Sequence, residues 1–257
     1  MGTKSRTISR QQRLVRAAAQ RRRVKRNRIL AYGGGVVIFG LLVAIVVAVV
    51  NAMGGPSSPA AQKSLVVPAH TTAGGAIALG ESSAPVKVEI YLDYMCPFCG
   101  RFERANAAEL DRLLAEGTIR LEVYPMSFLD RASSGTRYST RAANAVATVA
   151  DRAADKVLAF NLALYAHQPG EGSEGLDDAQ IAGLARDAGV PREVIEAFAA
   201  RTFEPWIAQV TEKAFAGGVN STPTVKVNGV VFKGDLLTAG PLAEAINAAV
   251  NAAKGQQ

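Results

Sequence analysis

The sequence has few of the residues that build metal sites. Its 257 residues include only two cysteines and two histidines, whereas a closed zinc site needs about four ligands. We therefore expect neither a zinc scaffold nor a metal cofactor.

Acidic residues are absent from positions 1–28, which carry 11 of the 29 lysines and arginines. The rest of the chain holds 18 basic and 22 acidic residues, so it is mildly acidic although the formal net charge of the whole chain is +7. Nucleic-acid binding needs clustered positive charge on the folded part, and the basic arm has no aromatic residue for base stacking. A topology signal with anionic-lipid contact explains the arm more simply, and no nucleic-acid partner is expected.

Charged residues are also absent from positions 29–50, a run of 22 residues. A helix rises about 1.5 Å per residue, so this run would span about 33 Å, enough to cross a bilayer core. It is longer than the apolar part of a cleaved signal peptide, and the Asn51-Ala52-Met53 exit is a poor cleavage site. We predict one N-terminal transmembrane helix that remains as an anchor.

The basic residues before this run predict the orientation of the chain, because positive charge keeps the preceding segment in the cytoplasm. We predict a basic cytoplasmic arm at 1–28, a single-pass anchor in the cell membrane at 29–50, and an extracytoplasmic remainder. Residues 51–75 are rich in glycine, proline, alanine and serine, which favours a flexible linker. A domain at 76–257 would follow, long enough to bury its own core.

The start of this domain has the pattern of a βαβ unit. β-Branched and aromatic residues at 85–94 predict a strand, and apolar residues at helical spacing from Phe102 to Leu114 predict a helix. Gly117 would end that helix, and residues 118–126 predict a second strand. Strand, helix and strand in this order make a parallel pair.

The remainder predicts a helical insert, a hairpin and a final helix. Residues 131–217 are rich in alanine, contain no convincing strand and break at turn-like stretches, which predicts three to five helices. An Asn-Gly pair between β-like stretches at 223–227 and 230–233 is a strong hairpin signal. A helix at 242–253 closes the chain, so the predicted fold class is α/β in the order βαβ, all-helical insert, ββα.

The two cysteines, Cys96 and Cys99, lie where the first predicted strand meets the first predicted helix. A thiol in the first turn of a helix is near unsatisfied N–H groups and the positive end of the helix dipole, which favours the thiolate. A thiolate attacks disulfides, and a second thiol one turn further can resolve the mixed disulfide. We predict Cys96 as the attacking, more exposed thiol and Cys99 as the resolving thiol.

Three other interpretations of the pair are weaker. A structural disulfide across two intervening residues closes almost no loop and gains little stability. A metal site would need two more ligands, and only His70 and His167 are available, far apart in the sequence. Two inert buried thiols are less consistent with an oxidising compartment, in which neighbouring thiols form disulfides.

Two motifs, in order, resemble those of the thioredoxin fold. The first is YMCPFC at 94–99 after a strand, and the second is STPT at 221–224 before a strand that leads into the Asn-Gly pair. With the helical block between them, residues 77–252 are similar to the DsbA-like branch, in particular to its membrane-anchored Gram-positive and actinobacterial versions. The resemblance implies a protein-disulfide oxidoreductase.

The resemblance also nominates substrate-binding residues. In that family the proline matching Pro223 follows a cis peptide bond beside the disulfide, and the backbone before it binds the substrate chain. This implies a substrate-binding role for Thr222 and Pro223. Strongly oxidising members often carry histidine between the cysteines, whereas this chain has Pro-Phe, so acidification of Cys96 must depend on the helix terminus and local donors.

Two acidic residues, Glu89 and Asp93, stand in a strand that should be apolar on both faces. Asp93, three residues before Cys96, could relay a proton to or from Cys99. The simpler interpretation, which we favour, places Asp93 at a frayed strand end or on a solvated edge. We favour it more strongly for Glu89.

These features predict an exported, membrane-tethered thiol:disulfide oxidoreductase that forms or exchanges disulfides in secreted proteins through Cys96 and Cys99, without an organic cofactor. Its substrates would be unfolded or folding secreted proteins with cysteines. The family implies a membrane partner of DsbB or vitamin-K-epoxide-reductase type that reoxidises the pair. Two alternatives stay open: an extracytoplasmic thiol reductase, for example of the cytochrome-maturation type, and a non-catalytic thioredoxin-fold module that binds peptides by strand addition.

Overall fold

The computed structural model describes residues 65–255. The predicted basic arm at 1–28, the predicted anchor at 29–50 and the first part of the predicted linker lie outside the described residues. Within 65–255, none of the helices combines the length and the apolar character needed to cross a membrane.

A mixed five-stranded sheet in the order β1-β3-β2-β4-β5 forms the centre of the described domain. Its strands are β1 (Ile77–Leu79), β2 (Val86–Leu92), β3 (Ile119–Pro125), β4 (Thr224–Val227) and β5 (Val230–Val231). β2 and β3 are parallel, and the other three neighbouring pairs are antiparallel. The central strand β2 therefore has partners on both sides, and its C-terminal end leads into the two cysteines.

Seven α-helices lie within residues 65–255. They are α1 (Pro97–Ala115), α2 (Tyr138–Arg152), α3 (Val157–Ala166), α4 (Asp178–Asp187), α5 (Arg192–Glu196), α6 (Glu204–Ala216) and α7 (Pro241–Lys254). Helices α2 to α6 form the insert, which reaches the upper end of the predicted three to five helices. The predicted order of βαβ, helical insert and ββα is confirmed.

The strand β1 has no counterpart among the predicted elements. Ile77 and Leu79 are buried and pair antiparallel with β3. Three residues are too few for an alternating pattern to stand out, so this strand depends on its partner rather than on its own sequence.

The domain begins before residue 76, where the linker was predicted to end. Thr71 forms a β-bridge with Ile77, and the Ala69 backbone N–H donates to an Asp151 carboxylate oxygen at 2.8 Å. Gly75 has a φ of +91°, which favours glycine. The small residues that predicted flexibility here form turns that are held against the domain.

The hairpin predicted at the Asn-Gly pair is confirmed, with a second strand shorter than predicted. Asn228 and Gly229 have φ values of +49° and +81°, as a tight two-residue turn requires. Asn228 also exchanges two hydrogen bonds with the Lys87 backbone, both of 2.8 Å. These contacts hold β4 beside β2, so the residues that precede β4 lie next to the end of β2.

Candidate active site

Cys96 and Cys99 lie at the N-terminus of α1. Cys96 is the N-cap residue, with an extended backbone of φ −73° and ψ 115°. Pro97 follows as the first helical residue, where the N–H that proline lacks has no helical partner to lose. Both cysteines are free thiols in this structure, so the site has the form of a reduced pair.

The two thiols differ in acidity. A hydrogen bond from the Cys99 thiol is the main reason that the pKa of Cys96 falls to about 6, and the backbone N–H groups of Phe98 and Cys99 add to the effect. Burial raises the pKa of Cys99 well above its usual value. Both cysteines are buried, and Cys96 is slightly the more exposed residue, at 4% against 1%. Acidity and exposure both favour Cys96 as the attacking thiol.

Thr222 and Pro223 lie beside Cys96 on the β4 side. The peptide bond between them is cis, as the resemblance implied. The Cys96 thiol donates a hydrogen bond to the Thr222 carbonyl oxygen at 3.3 Å. Both residues are partly exposed, so an extended chain lying along them would come close to the Cys96 sulfur.

Asp93 is completely buried, so its prediction as a residue at a frayed or solvated strand end is wrong. Its carboxylate accepts hydrogen bonds from the Met95 N–H at 2.8 Å, the Leu129 N–H at 2.9 Å and the Ser139 hydroxyl at 2.6 Å. Burial raises the pKa of Asp93 to about 6, although these hydrogen bonds oppose the rise. The carboxylate joins the active-site loop to the loop after β3 and to the first turn of α2.

Asp93 also approaches Cys99, through its main chain. The Asp93 backbone N–H donates to the Cys99 sulfur at 3.5 Å. A proton relay between the Asp93 carboxyl and Cys99 therefore stays a prediction.

Glu89 is likewise not on a solvated edge. It lies in the central strand and is 7% exposed. One of its carboxylate oxygens is 3.4 Å from the Lys87 Nζ, which is also 3.8 Å from the carboxylate of the cross-strand neighbour Glu122. Arg120 lies 3.3 Å from the Glu122 carboxylate, so Lys87 and Arg120 together place positive charge beside the two neighbouring carboxylates.

Sequence reasoning missed a polar network contributed by the insert. The Tyr94 hydroxyl donates to the Asn161 side-chain oxygen at 3.0 Å, and the Asn161 amide donates to the Glu103 carboxylate at 2.6 Å. Burial raises the pKa of Glu103 to about 7. Gln168, just after α3, also contacts the active-site loop. No spacing rule links these residues, because they meet only when α3 packs against α1.

The sequence model of the family described as Thioredoxin matches residues 72–248 of this chain. The chain belongs to the thioredoxin family. This match and the observed topology confirm the predicted thioredoxin-like α/β fold.

Solved structures with the same fold include named thiol-disulfide oxidoreductases. DsbA from Mycobacterium tuberculosis in its reduced form is 27% identical, with a TM-score of 0.58 over 71% of this chain and 98% of that chain. MdbA from Actinomyces oris, described as a thiol-disulfide oxidoreductase, is 26% identical, with a TM-score of 0.61 over 71% of this chain and 89% of that chain. These neighbours confirm the resemblance to DsbA-like proteins.

A curated relative matches a shorter part of the chain. The serine/threonine-protein kinase PknE of Mycobacterium tuberculosis is 35% identical over 115 residues, which are 43% of this chain and 20% of the kinase. The match thus spans about a fifth of the length of the curated relatives, and the kinase name belongs to those longer proteins.

Proposed function

We propose that this chain is an exported, membrane-tethered thiol:disulfide oxidoreductase that forms or exchanges disulfides in secreted proteins. The observation that carries the proposal is the unequal pair at the start of α1, in which burial keeps Cys99 protonated and hydrogen bonds acidify Cys96. The oxidoreductase names of the DsbA and MdbA neighbours support the same chemistry.

In the oxidising direction the reaction starts from a Cys96–Cys99 disulfide. A client thiolate attacks the Cys96 sulfur, which forms a mixed disulfide and releases Cys99 as a thiolate that takes up a proton. A second client thiolate then attacks the client sulfur of the mixed disulfide and releases Cys96 as a thiolate. Two client thiols are oxidised to a disulfide, and the pair is left reduced.

The groups around the pair suit these steps. Cys96 is a good leaving group because its thiolate is stabilised by hydrogen bonds. The proton for Cys99 can come from Asp93, whose pKa of about 6 allows exchange near neutral pH. Thr222 and Pro223 would hold the backbone of the client, an unfolded or folding secreted protein with cysteines.

Turnover requires a second partner that takes the two electrons from the reduced pair. We assign this role to a membrane protein of DsbB or vitamin-K-epoxide-reductase type. A module that only binds peptides would need neither an acidified thiol nor such a partner, so the unequal pair argues against a purely binding role.

The direct test mixes the oxidised full chain with a reduced, unfolded client that has two cysteines. We expect one client disulfide for each oxidised pair consumed, measured by thiol titration. The redox potential separates the oxidase from the reductase, and we expect a value between those of DsbA at about −120 mV and thioredoxin at about −270 mV. A potential near or below that of thioredoxin would favour the reductase instead.

Replacing Phe98 with histidine should make the pair more oxidising. Phe98 lies between the cysteines and is 52% exposed, so an imidazole there can place a donor or positive charge near the Cys96 thiolate. We expect about a tenfold change in the equilibrium constant with glutathione, equivalent to about 30 mV. Phe215→His, at a phenylalanine of α6 that is 45% exposed, is the matched control. An unchanged potential in Phe98→His would show that the residue between the cysteines does not set it.

Export can be tested by protease accessibility. In intact cells stripped of their wall, protease added from outside should digest the domain at 76–257, because the basic residues at 1–28 predict a cytoplasmic N-terminus. An antibody against the domain would follow its loss. Digestion only after lysis would contradict export.

A further inference from the structure

We propose that Gln168 is a positioning residue that holds the Cys96 backbone in the geometry needed for thiol exchange. The inference rests on the proposed function and deepens it, because it gives the helical insert a part in the redox chemistry. Gln168 follows α3 and lies 72 positions after Cys96 in the chain.

The side-chain amide of Gln168 donates two hydrogen bonds to backbone carbonyls of the segment that carries Cys96. Gln168 Nε2 donates to the Tyr94 carbonyl at 3.0 Å and to the Cys96 carbonyl at 2.8 Å. These carbonyls flank Met95, which is fully buried. The insert thus holds both ends of the short segment that carries Cys96.

Gly100 provides the space for this amide. A Cβ at position 100 would lie 2.1 Å from the Gln168 Oε1 and 3.1 Å from its Cδ. Gly100 lies inside α1, where glycine is less favourable than alanine, and its φ is not in the positive region. The backbone therefore does not require glycine at this position, whereas a Cβ there would displace the Gln168 amide from its present place.

The Cys96 carbonyl is the point where α1 begins. It also accepts the backbone N–H of Cys99 at 3.0 Å and that of Gly100 at 3.3 Å. The N–H groups of Phe98 and Cys99 add to the stabilisation of the Cys96 thiolate by the Cys99 thiol and the Thr222 side chain. The direction of these N–H groups depends on how the first turn of α1 is set. If Gln168 is removed, the Cys96 carbonyl is less restrained, and we expect the first-turn donors to point less well at the sulfur.

The experiment uses the reduced full chain and two changes that disturb the contact from opposite sides. Gln168→Met keeps the volume and removes the donor, while Gly100→Ala pushes the intact amide away. The pH dependence of Cys96 alkylation, with the labelled cysteine identified by mass spectrometry, reports the thiolate. We expect both variants to move its midpoint upward by about half to one pH unit. The equilibrium constant with glutathione should shift about three- to tenfold in favour of the disulfide, up to about 30 mV.

A control separates positioning from general loosening of the insert. Gln180→Met removes the side chain that accepts the Asp177 N–H at 2.8 Å in the capping box of α4. It should lower the thermal stability and leave the alkylation midpoint unchanged. Gly100→Ala should raise helix propensity, so a folded protein with a shifted midpoint would exclude misfolding as the cause.

The double variant Gly100→Ala/Gln168→Met completes the test. Both changes disrupt the same interaction of the Gln168 amide with the backbone. The double variant should therefore shift the alkylation midpoint by no more than the larger single effect. Unchanged midpoints in both single variants, an equal shift in Gln180→Met, or additive shifts in the double variant would overturn the role of Gln168. An unmodified chain with no acidic Cys96 and no exchange with glutathione would instead refute the proposed function.

Discussion

Replacing Cys99 with serine should trap mixed disulfides between Cys96 and client proteins, whereas replacing Cys96 with serine should trap none and reduce client oxidation to the uncatalysed rate. In Cys99→Ser the Cys96 thiolate attacks a client disulfide and releases one client thiolate, and no Cys99 thiol is left to resolve the product. The reason is the difference in acidity. The pKa of Cys96 is lowered to about 6 while that of Cys99 is raised well above its usual value. At neutral pH the pair therefore presents one thiolate, and only that thiolate is placed to exchange with a client.

The trapped species should be visible as high-mass bands that dithiothreitol removes on non-reducing gels. The rate of Cys96 alkylation in the reduced protein should reach half of its maximum near pH 6, well below the pKa of about 8.5 of a free thiol. The sign follows from the thiolate being the reactive form, so the rate rises as pH increases through the pKa. Ser221→Ala, next to the Thr222 that contacts Cys96, keeps both thiols and should trap nothing. Mixed disulfides on Cys96→Ser instead of Cys99→Ser would reverse the two assignments.

The parts of the fold that the sequence predicts are those governed by local rules. The strand at 86–92, the helix that starts after Cys96 and the hairpin at Asn228 each follow from residue type and spacing over a few positions. The sequence does not predict β1, because its three residues form a strand only by pairing with β3. The folded part starts before the predicted end of the linker, because the same small residues suit a flexible tether and a series of tight turns.

The features of the candidate site also divide into those that local sequence predicts and those that depend on distant residues. Cys96 and Cys99 were recognisable because their chemistry depends on a spacing of three residues at a helix start. The burial of Asp93 was not, because it depends on Leu129 and Ser139, which reach the carboxylate from distant parts of the chain. A charged residue in a strand is usually explained by solvent, and only the folded structure shows donors in place of water.

Replacing Asp93 with alanine should destabilise the protein, and more so in acid than at neutral pH. The change leaves the Met95 N–H, the Leu129 N–H and the Ser139 hydroxyl without their acceptor. A buried donor without a partner costs about 1–3 kcal/mol. Some of the three will find other partners, so we expect a loss of about 3–5 kcal/mol near pH 4.5.

The pH dependence follows from the raised pKa of Asp93, about 6 in the folded protein against 3.8 in the ordinary range. The folded state favours the protonated acid, so its contribution is fully present below the unfolded value and falls as pH rises through the folded value. One pH unit within this interval is about 1.4 kcal/mol. The cost of Asp93→Ala should therefore be about 2 kcal/mol smaller at pH 7.5 than at pH 4.5.

Urea unfolding of the disulfide form at both pH values measures this difference without titration of the cysteines. Asp93→Asn is the matched control, because it keeps the shape and cannot ionise. Neither variant carries the titrating carboxyl, so the difference in stability between them should be the same at both pH values. Asp130→Ala removes a carboxylate that accepts the Thr140 N–H at 2.9 Å but lies at a partly exposed position, so water can replace it and the cost should be about 1 kcal/mol. An equal cost for Asp93→Ala and Asp130→Ala would mean that the Asp93 carboxylate does not hold the active-site loop to the insert.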